Sequence, residues 1–267
     1  MAVVIPELHH ESEDAASSRQ DENVVVRVSR LVKTWGTGDQ AVTVLKGVSL
    51  TVHQGECLFL AGPSGSGKTT LLSILGCVLS ATSGTVSILG HDVTSLTSEE
   101  RAAFRCRKIG FVFQKFHLFS ALTAAENVQV PCDLQNLPRS KSGIRARELL
   151  SLVGLADFAN VRVNRLSMGQ RQRVAVARAL SADPGLILAD EPTASLDAES
   201  GMNAMCLLKQ LCRQLGKTVI TVTHDSRIFE LADRILYLSE GQLSDGHTST
   251  TQKDHSADLK RLFGGVP

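Results

Sequence analysis

CLFLAGPSGSGKTTLLSIL (57–75) decides how this chain folds. The apolar run Cys57 to Ala61 has the length of a strand buried on both faces. It gives way to a loop of glycine, proline and serine, and then to a helix starting at about Lys68. Strand, loop and helix in that order are the context that the pattern G-x-x-x-x-G-K-[ST] needs, and GPSGSGKT (62–69) fits it. Gly62, Gly65 and Gly67 let backbone N–H groups approach a phosphate chain, with Pro63, Ser64 and Ser66 completing the loop. The helix start, with Thr70 in its first turn, adds the positive end of its dipole. Lys68 is expected to reach the β- and γ-phosphates, and Thr69 to offer its hydroxyl to Mg²⁺.

A metal-bound triphosphate needs a second acidic element, and LILADEP (186–192) supplies one at the end of another buried strand. Asp190 is placed to bind Mg²⁺, directly or through its water shell. Glu191 is expected to face the attacking water as general base or to hold it in line.

Outward from these motifs the chain alternates strands and helices. VVVRVSRL (24–31) and VTVLKGVSLTV (42–52) have the alternation of antiparallel strands. Strands follow at TVSILG, IGFVFQ (109–114), LILAD (186–190) and KTVITVTH (217–224), with helices at SEERAAFRCRK, AESGMNAMCLLKQLCRQL and SRIFELAD and a hairpin at RILYLSEGQL. From about 115 to 181 the pattern is mostly helical. The expected fold is α/β: a P-loop NTPase frame with a mostly parallel core sheet, an N-terminal antiparallel β subdomain and a helical subdomain. Residues 1–22 read as a disordered acidic tail, 23–243 as the folded domain and 244–267 as a loosely held tail.

Composition excludes more than it names. Lys plus Arg (28) nearly balances Asp plus Glu (27), so no global field recruits nucleic acid or an anionic membrane. The arginines at 162, 165, 171, 173 and 178 read as a solvated helix face with some ion pairs. The six cysteines show no metal-ligand or CxxC spacing and read as small hydrophobes of a reducing compartment. TLLSILGCVLSA, the most apolar segment, falls short of the roughly 18 residues of a membrane span. No signal peptide is expected at the N-terminus.

Six ordered motifs then carry a resemblance. GPSGSGKTT, Gln114 after IGFVF, LSMGQRQRVAVARAL, LILADEP, SLD (195–197) and His224 stand in the order of the ATP-binding cassette (ABC) ATPases and span about residues 24–243. The resemblance implies ATP and Mg²⁺ as ligands. Gln114 resembles the glutamine that completes the Mg²⁺ shell and senses γ-phosphate, and His224 the switch histidine that bonds it. Asp197 is similar to the residue that meets the phosphate loop across a dimer, and Trp35 occupies the place of the aromatic that stacks on adenine. The family implies a homodimer in which each ATP lies between one subunit's phosphate loop and the other's signature motif, here Ser167, Gly169 and Gln170.

Ser167 and Gln170 also have the spacing of a capping box ahead of a helix. Met168 stands where the family has glycine. As the first helical residue it needs no left-handed backbone, so the motif is expected to work.

Within the family, the text around GTGDQAVTVLKGVSL and KIGFVFQKFHLFSALTAAENVQVP resembles MacB/LolD-type ATPases, and LADEPTASLDAESG the Dev-type glycolipid exporter ATPases. This implies an integral-membrane permease of MacB/FtsX-like type, a periplasmic adaptor joined through it, and a place on the cytoplasmic face of the inner (plasma) membrane. The expected cargo is a lipid, lipoprotein or hydrophobic compound. The alternative is an FtsE-like regulatory ATPase that drives a membrane partner without transport. A nucleic-acid ATPase is disfavoured: 51 residues between Gln114 and Leu166 leave no room for a long coiled coil, and there is one phosphate loop.

Overall fold

The structure is a computed structural model that describes residues 23–245. The expected acidic tail, and residues 246–267 of the expected C-terminal tail, lie outside the described residues.

Two sheets divide the strands. Strands β1 (Val24–Trp35), β2 (Val42–His53), β4 (Ser83–Ile88) and β5 (His91–Asp92) form an antiparallel sheet in the order β2-β1-β4-β5. Strands β3 (Cys57–Ala61), β6 (Ile109–Phe113), β7 (Leu186–Asp190), β8 (Thr218–Val222), β9 (Arg234–Ser239) and β10 (Gln242–Asp245) form the second, in the order β10-β9-β3-β8-β7-β6. It is parallel except for the β9–β10 hairpin. The hairpin turns through Glu240 and Gly241, both with positive φ, as a two-residue loop requires. Its last strand takes in Ser244 and Asp245, beyond the expected end of the domain at 243.

Period-two alternation explains why the central strands carry no polar face. Phe59, Ile187 and Val219 join one apolar cluster, while their neighbours Leu58, Leu60, Leu186, Leu188 and Ile220 join another on the opposite side of the sheet. Helix α1 (Lys68–Leu75) belongs to the second cluster through Leu71, Leu72, Ile74 and Leu75, together with the inward residues of β1 and β2. At about 1.5–3 kcal/mol for each buried Leu, Ile or Phe, these layers fix where the strand ends fall.

The helical lobe shares the first cluster. Helices α3 (Ala124–Leu134), α4 (Arg139–Leu152) and α5 (Met168–Ser181) contribute Val128, Leu149, Leu150, Val174 and Leu180 to the core that contains Phe59. Helix α2 (Ser98–Lys108), α3 and α5 each start in a capping box, from Thr97–Glu100, Thr123–Glu126 and Ser167–Gln170. Helix α6 (Ala198–Gln214) is capped by the Asp197 carboxylate, which accepts from the Ser200 N–H at 2.9 Å. These caps each contribute on the order of 1 kcal/mol.

Two expectations change. SRIFELAD is a 3₁₀ turn over Ser226–Leu231 and not an α-helix. Its first turn is tied to Asp225, whose carboxylate takes the Arg227 N–H and guanidinium, and the six residues are too few for a stable α ladder. The arginines of α5 are not a solvated face of ion pairs either. Arg171 donates to the carbonyls of Val163 and Asn164, Arg173 to Val153, and Arg178 to Phe116 and His117. All six cysteines are free thiols, and burial pushes Cys57 and Cys212 up to about 12, where they are inert.

Candidate functional site

The parallel register brings four strand ends to one edge. Phe113 pairs with Asp190, Asp190 with Val222 and Leu60 with Val222. Residues just past these ends therefore share a crevice at the carboxyl edge of the sheet, where α/β proteins hold ligands. They are the loop from Gly62, then Gln114, Glu191 and His224.

The loop has the shape of an anion cradle. Gly62 has φ +143, and a Cβ on it would lie 2.1 Å from the Leu238 carbonyl oxygen. Gly67 takes the N-cap position of α1 in a left-handed conformation and makes no side-chain cap bond, so this helix start, unlike those of α2, α3, α5 and α6, is left to an external acceptor. The Ser66 hydroxyl is buried with no hydrogen-bond partner. Lys68 is buried, and its ammonium folds back over the loop to the carbonyls of Gly62 and Pro63, 2.8 Å each. Ser64, Gly65 and Thr69 are exposed at the mouth. An unpartnered hydroxyl, a free helix start and a loop-bound ammonium fit a polyphosphate.

Beside the loop, the Thr69 hydroxyl reaches Asp190 Oδ1 at 3.5 Å. Burial, and then the adjacent Glu191, hold the Asp190 carboxyl above the usual carboxylate range, against the pull of Thr69 and Lys68. Hard oxygen donors on a partly desolvated carboxylate suit Mg²⁺, which takes a few protein ligands and keeps phosphate and water for the rest. Among the described residues no cluster of three His, Cys, Asp or Glu side chains forms a metal cage.

Glu191 is held in a conformation few non-glycine residues adopt, with φ +46. Two contacts offset that strain. Its N–H donates to the Val222 carbonyl at 2.9 Å, and its Oε1 lies 2.8 Å from His224 Nδ1. The Glu191 carboxylate is mostly sheltered, whereas the histidine ring is exposed.

Gln114 is exposed, and its carbonyl accepts from the Ser195 hydroxyl at 2.9 Å. The segment after it, ahead of α3, is irregular. Phe116 and His117 are both left-handed (φ 59 and 47), and the half-buried Arg178 guanidinium holds their carbonyls. Burial pushes Arg178 down to about 10. The Gln172 amide, buried in α5, donates to the Pro192 carbonyl and so joins that helix to the segment after Glu191. Sequence reading did not foresee these contacts of Ser195, Gln172 and Arg178, because a side chain bonded to a distant carbonyl leaves no local pattern.

Two candidate groups stand apart from the crevice. Ser167, Met168, Gly169 and Gln170 open α5; within 167–170 the side-chain bonds are the internal capping pair, and none reaches the phosphate loop. Met168 is the first helical residue and half exposed. Trp35, at the end of β1, is also half exposed and carries the Lys33 ammonium 4.5 Å from its ring centroid.

A phosphate loop, an acidic strand end and a sheet-plus-helical-lobe frame define a nucleotide-hydrolysing cassette of the P-loop class. The sequence pattern of the family described as ABC transporter matches residues 45–194, and the chain belongs to that family as an ATP-binding cassette ATPase. It is 44% identical over 219 residues to the macrolide export ATP-binding/permease protein MacB of Salmonella typhimurium, covering 82% of this chain and 34% of that protein. With MacB of Escherichia coli K12 it shares 46% over 211 residues, 79% of this chain and 32% of that one, so it spans about a third of these relatives' length. Among solved structures, the dimeric ATP-binding cassette MJ0796, in a post-hydrolysis state with ADP and Pi, is 41% identical with a TM-score of 0.74, over 82% of this chain and 98% of that one. The protein cbiO1 of Clostridium perfringens, part of the ABC transporter complex cbiONQ, is 27% identical with a TM-score of 0.75, over 83% of this chain and 87% of that one. No helix among the described residues is long and apolar enough to cross a membrane.

Proposed function

We propose that residues 23–243 form the motor subunit of a MacB/LolD-type transporter, coupling ATP-driven dimer closure to a membrane permease. The observation that carries this reading is the Glu191 carboxylate, fixed at the end of β7 with His224 Nδ1 at 2.8 Å and the Thr69–Asp190 pair beside it.

ATP is the substrate. Residues 62–70 bind its phosphates, with Lys68 leaving the loop carbonyls for the β- and γ-phosphates. Thr69, Asp190 and Gln114 would hold Mg²⁺, which would supply charge neutralisation at the leaving group. Glu191 accepts a proton from the attacking water as its oxygen bonds the γ-phosphorus and the bond to ADP breaks. His224 orients Glu191 and the γ-phosphate. Ser167, Gly169 and Gln170 of a second copy complete the site, Asp197 meets the phosphate loop across the interface, and Trp35 stacks on adenine.

Each chain then carries half of each site, so γ-phosphate binding closes the dimer and its loss opens it. The segment from Lys115 to Asn127, held by Arg178, receives the permease's cytoplasmic coupling helix. The partners are an integral-membrane permease of MacB/FtsX-like type and, through it, a periplasmic adaptor. The chain sits peripherally on the cytoplasmic face of the inner membrane, and the cargo is a lipid, lipoprotein or hydrophobic compound.

Glu191→Gln is the direct test. In the full chain it is expected to keep ATP affinity, lose hydrolysis by about 10²–10⁴-fold and accumulate as an ATP-bound dimer. Undiminished phosphate release would end the general-base assignment. Co-purification of membrane proteins with that trapped variant identifies the permease.

A further inference from the structure

Trp35 is the chain's only tryptophan, and one face of its ring is already occupied. Lys33, two residues earlier on β1 and so on the same side of the strand, sets its ammonium 4.5 Å from the ring centroid. That ammonium is itself anchored, donating to the Ser80 carbonyl at 2.8 Å. Two more bonds staple the same stretch of β1 to the turn around Ser80: Thr34 N–H to Thr82 Oγ1 at 2.9 Å, and Thr82 N–H to the Val32 carbonyl at 2.8 Å. The turn follows α1, the helix whose N-terminal end carries the phosphate loop. Lys33 therefore links the aromatic ring to the far end of the phosphate-binding helix.

We propose that Lys33 is a positioning residue for the nucleotide base, holding the rear face of Trp35 so that the opposite face stands ready to stack on adenine. The proposal rests on Trp35 being the base-stacking residue.

Two effects act together. A cation on one face of an indole draws π density toward itself, which lowers the repulsion between the other face and the purine. A ring held in one orientation also loses less rotamer freedom when the base arrives. Neither effect touches the phosphates, which separates this role from simple attraction of a charged ligand.

The test is a double-mutant cycle on the full chain, read by equilibrium dialysis against Mg-ATP and against inorganic triphosphate as a base-free probe. Lys33→Met is expected to raise the Kd for ATP about two- to fivefold, the equivalent of one exposed cation–π contact. Lys33→Arg retains affinity. Inorganic triphosphate binds Lys33→Met and the wild type alike, and in a Trp35→Ala background Lys33→Met adds nothing. In turnover the loss falls on KM and not on kcat.

An equal loss for triphosphate, or a full further loss in the Trp35→Ala background, overturns the proposal and assigns Lys33 to charge attraction or to strand packing. The base-stacking reading has its own readout in the fluorescence of the single tryptophan. If saturating ATP leaves that emission unchanged and Trp35→Ala leaves the ATP Kd unchanged, the stacking assignment itself is wrong and the Lys33 role falls with it.

Discussion

At Gly62 the φ of +143 and the 2.1 Å distance from a built Cβ to the Leu238 carbonyl leave no room for any side chain. Gly62→Ala is expected to cost about 2–3 kcal/mol, lowering Tm by about 5–10 °C in a thermal melt, and to reduce nucleotide affinity with it. Asp190 behaves in the opposite sense. Its folded-state pKa is raised, so its charge destabilises the metal-free fold at neutral pH, and that penalty fades as pH falls through the folded value toward the unfolded one. Asp190→Asn should therefore melt higher than the wild type at pH 7 without Mg²⁺, with the gap closing near pH 4, while Mg²⁺-dependent ATP binding is lost. Equal melting temperatures at pH 7 would contradict the burial argument. Met168 is the third residue with a decidable role. It begins α5 half exposed and forces no left-handed backbone, so Met168→Gly is expected to change phosphate release only modestly; a gain of orders of magnitude would mean that the natural motif is crippled.

Elements were legible where the signal was local. The capping spacing at Ser167 opens a helix in the structure, and the buried runs of β3 and β7 are strands. The stretch after Gln114 was not, because what shapes it comes from another element. Phe116 and His117 pay for left-handed backbone, and the two Arg178 bonds from α5 offset it. Arg178→Met removes a charge-assisted pair of bonds worth about 2–3 kcal/mol locally. Faster amide exchange confined to residues 114–123, with reduced turnover and little change in ATP affinity, is the expected pattern. Unaltered exchange there would show that the loop holds its shape without α5.

On the scale of the whole molecule, the residues proposed for catalysis belong to the sheet edge and the proposed signature residues to the start of α5, and no hydrogen bond joins 167–170 to 62–70 among the described residues. If the functional unit is a head-to-tail dimer, Lys68→Ala and Ser167→Arg each inactivate both sites as homodimers. Mixing the two variants should recover part of the ATPase rate, because the heterodimer rebuilds one intact site. No recovery in a mixture shown to exchange subunits would argue that both motifs act within one chain.

By itself the sequence determined the α/β alternation, the phosphate loop between strand and helix, the paired carboxylates at the end of β7 and the cap of α5. Each is a pattern of neighbours, set by backbone periodicity or by bonds that reach three or four residues. Only the tertiary structure decided that Gln114, Glu191 and His224 share one edge, since that follows from the order β3-β8-β7-β6 and its register. The same holds for the Glu191–His224 contact, for Arg178 on the loop carbonyls and for Lys33 beneath Trp35 and against Ser80. In most of these the partners lie far apart in the chain, and even Lys33 and Trp35, two residues apart, owe their geometry to the Ser80 turn. It is the burial of two apolar layers against one sheet that brings such groups within hydrogen-bond reach.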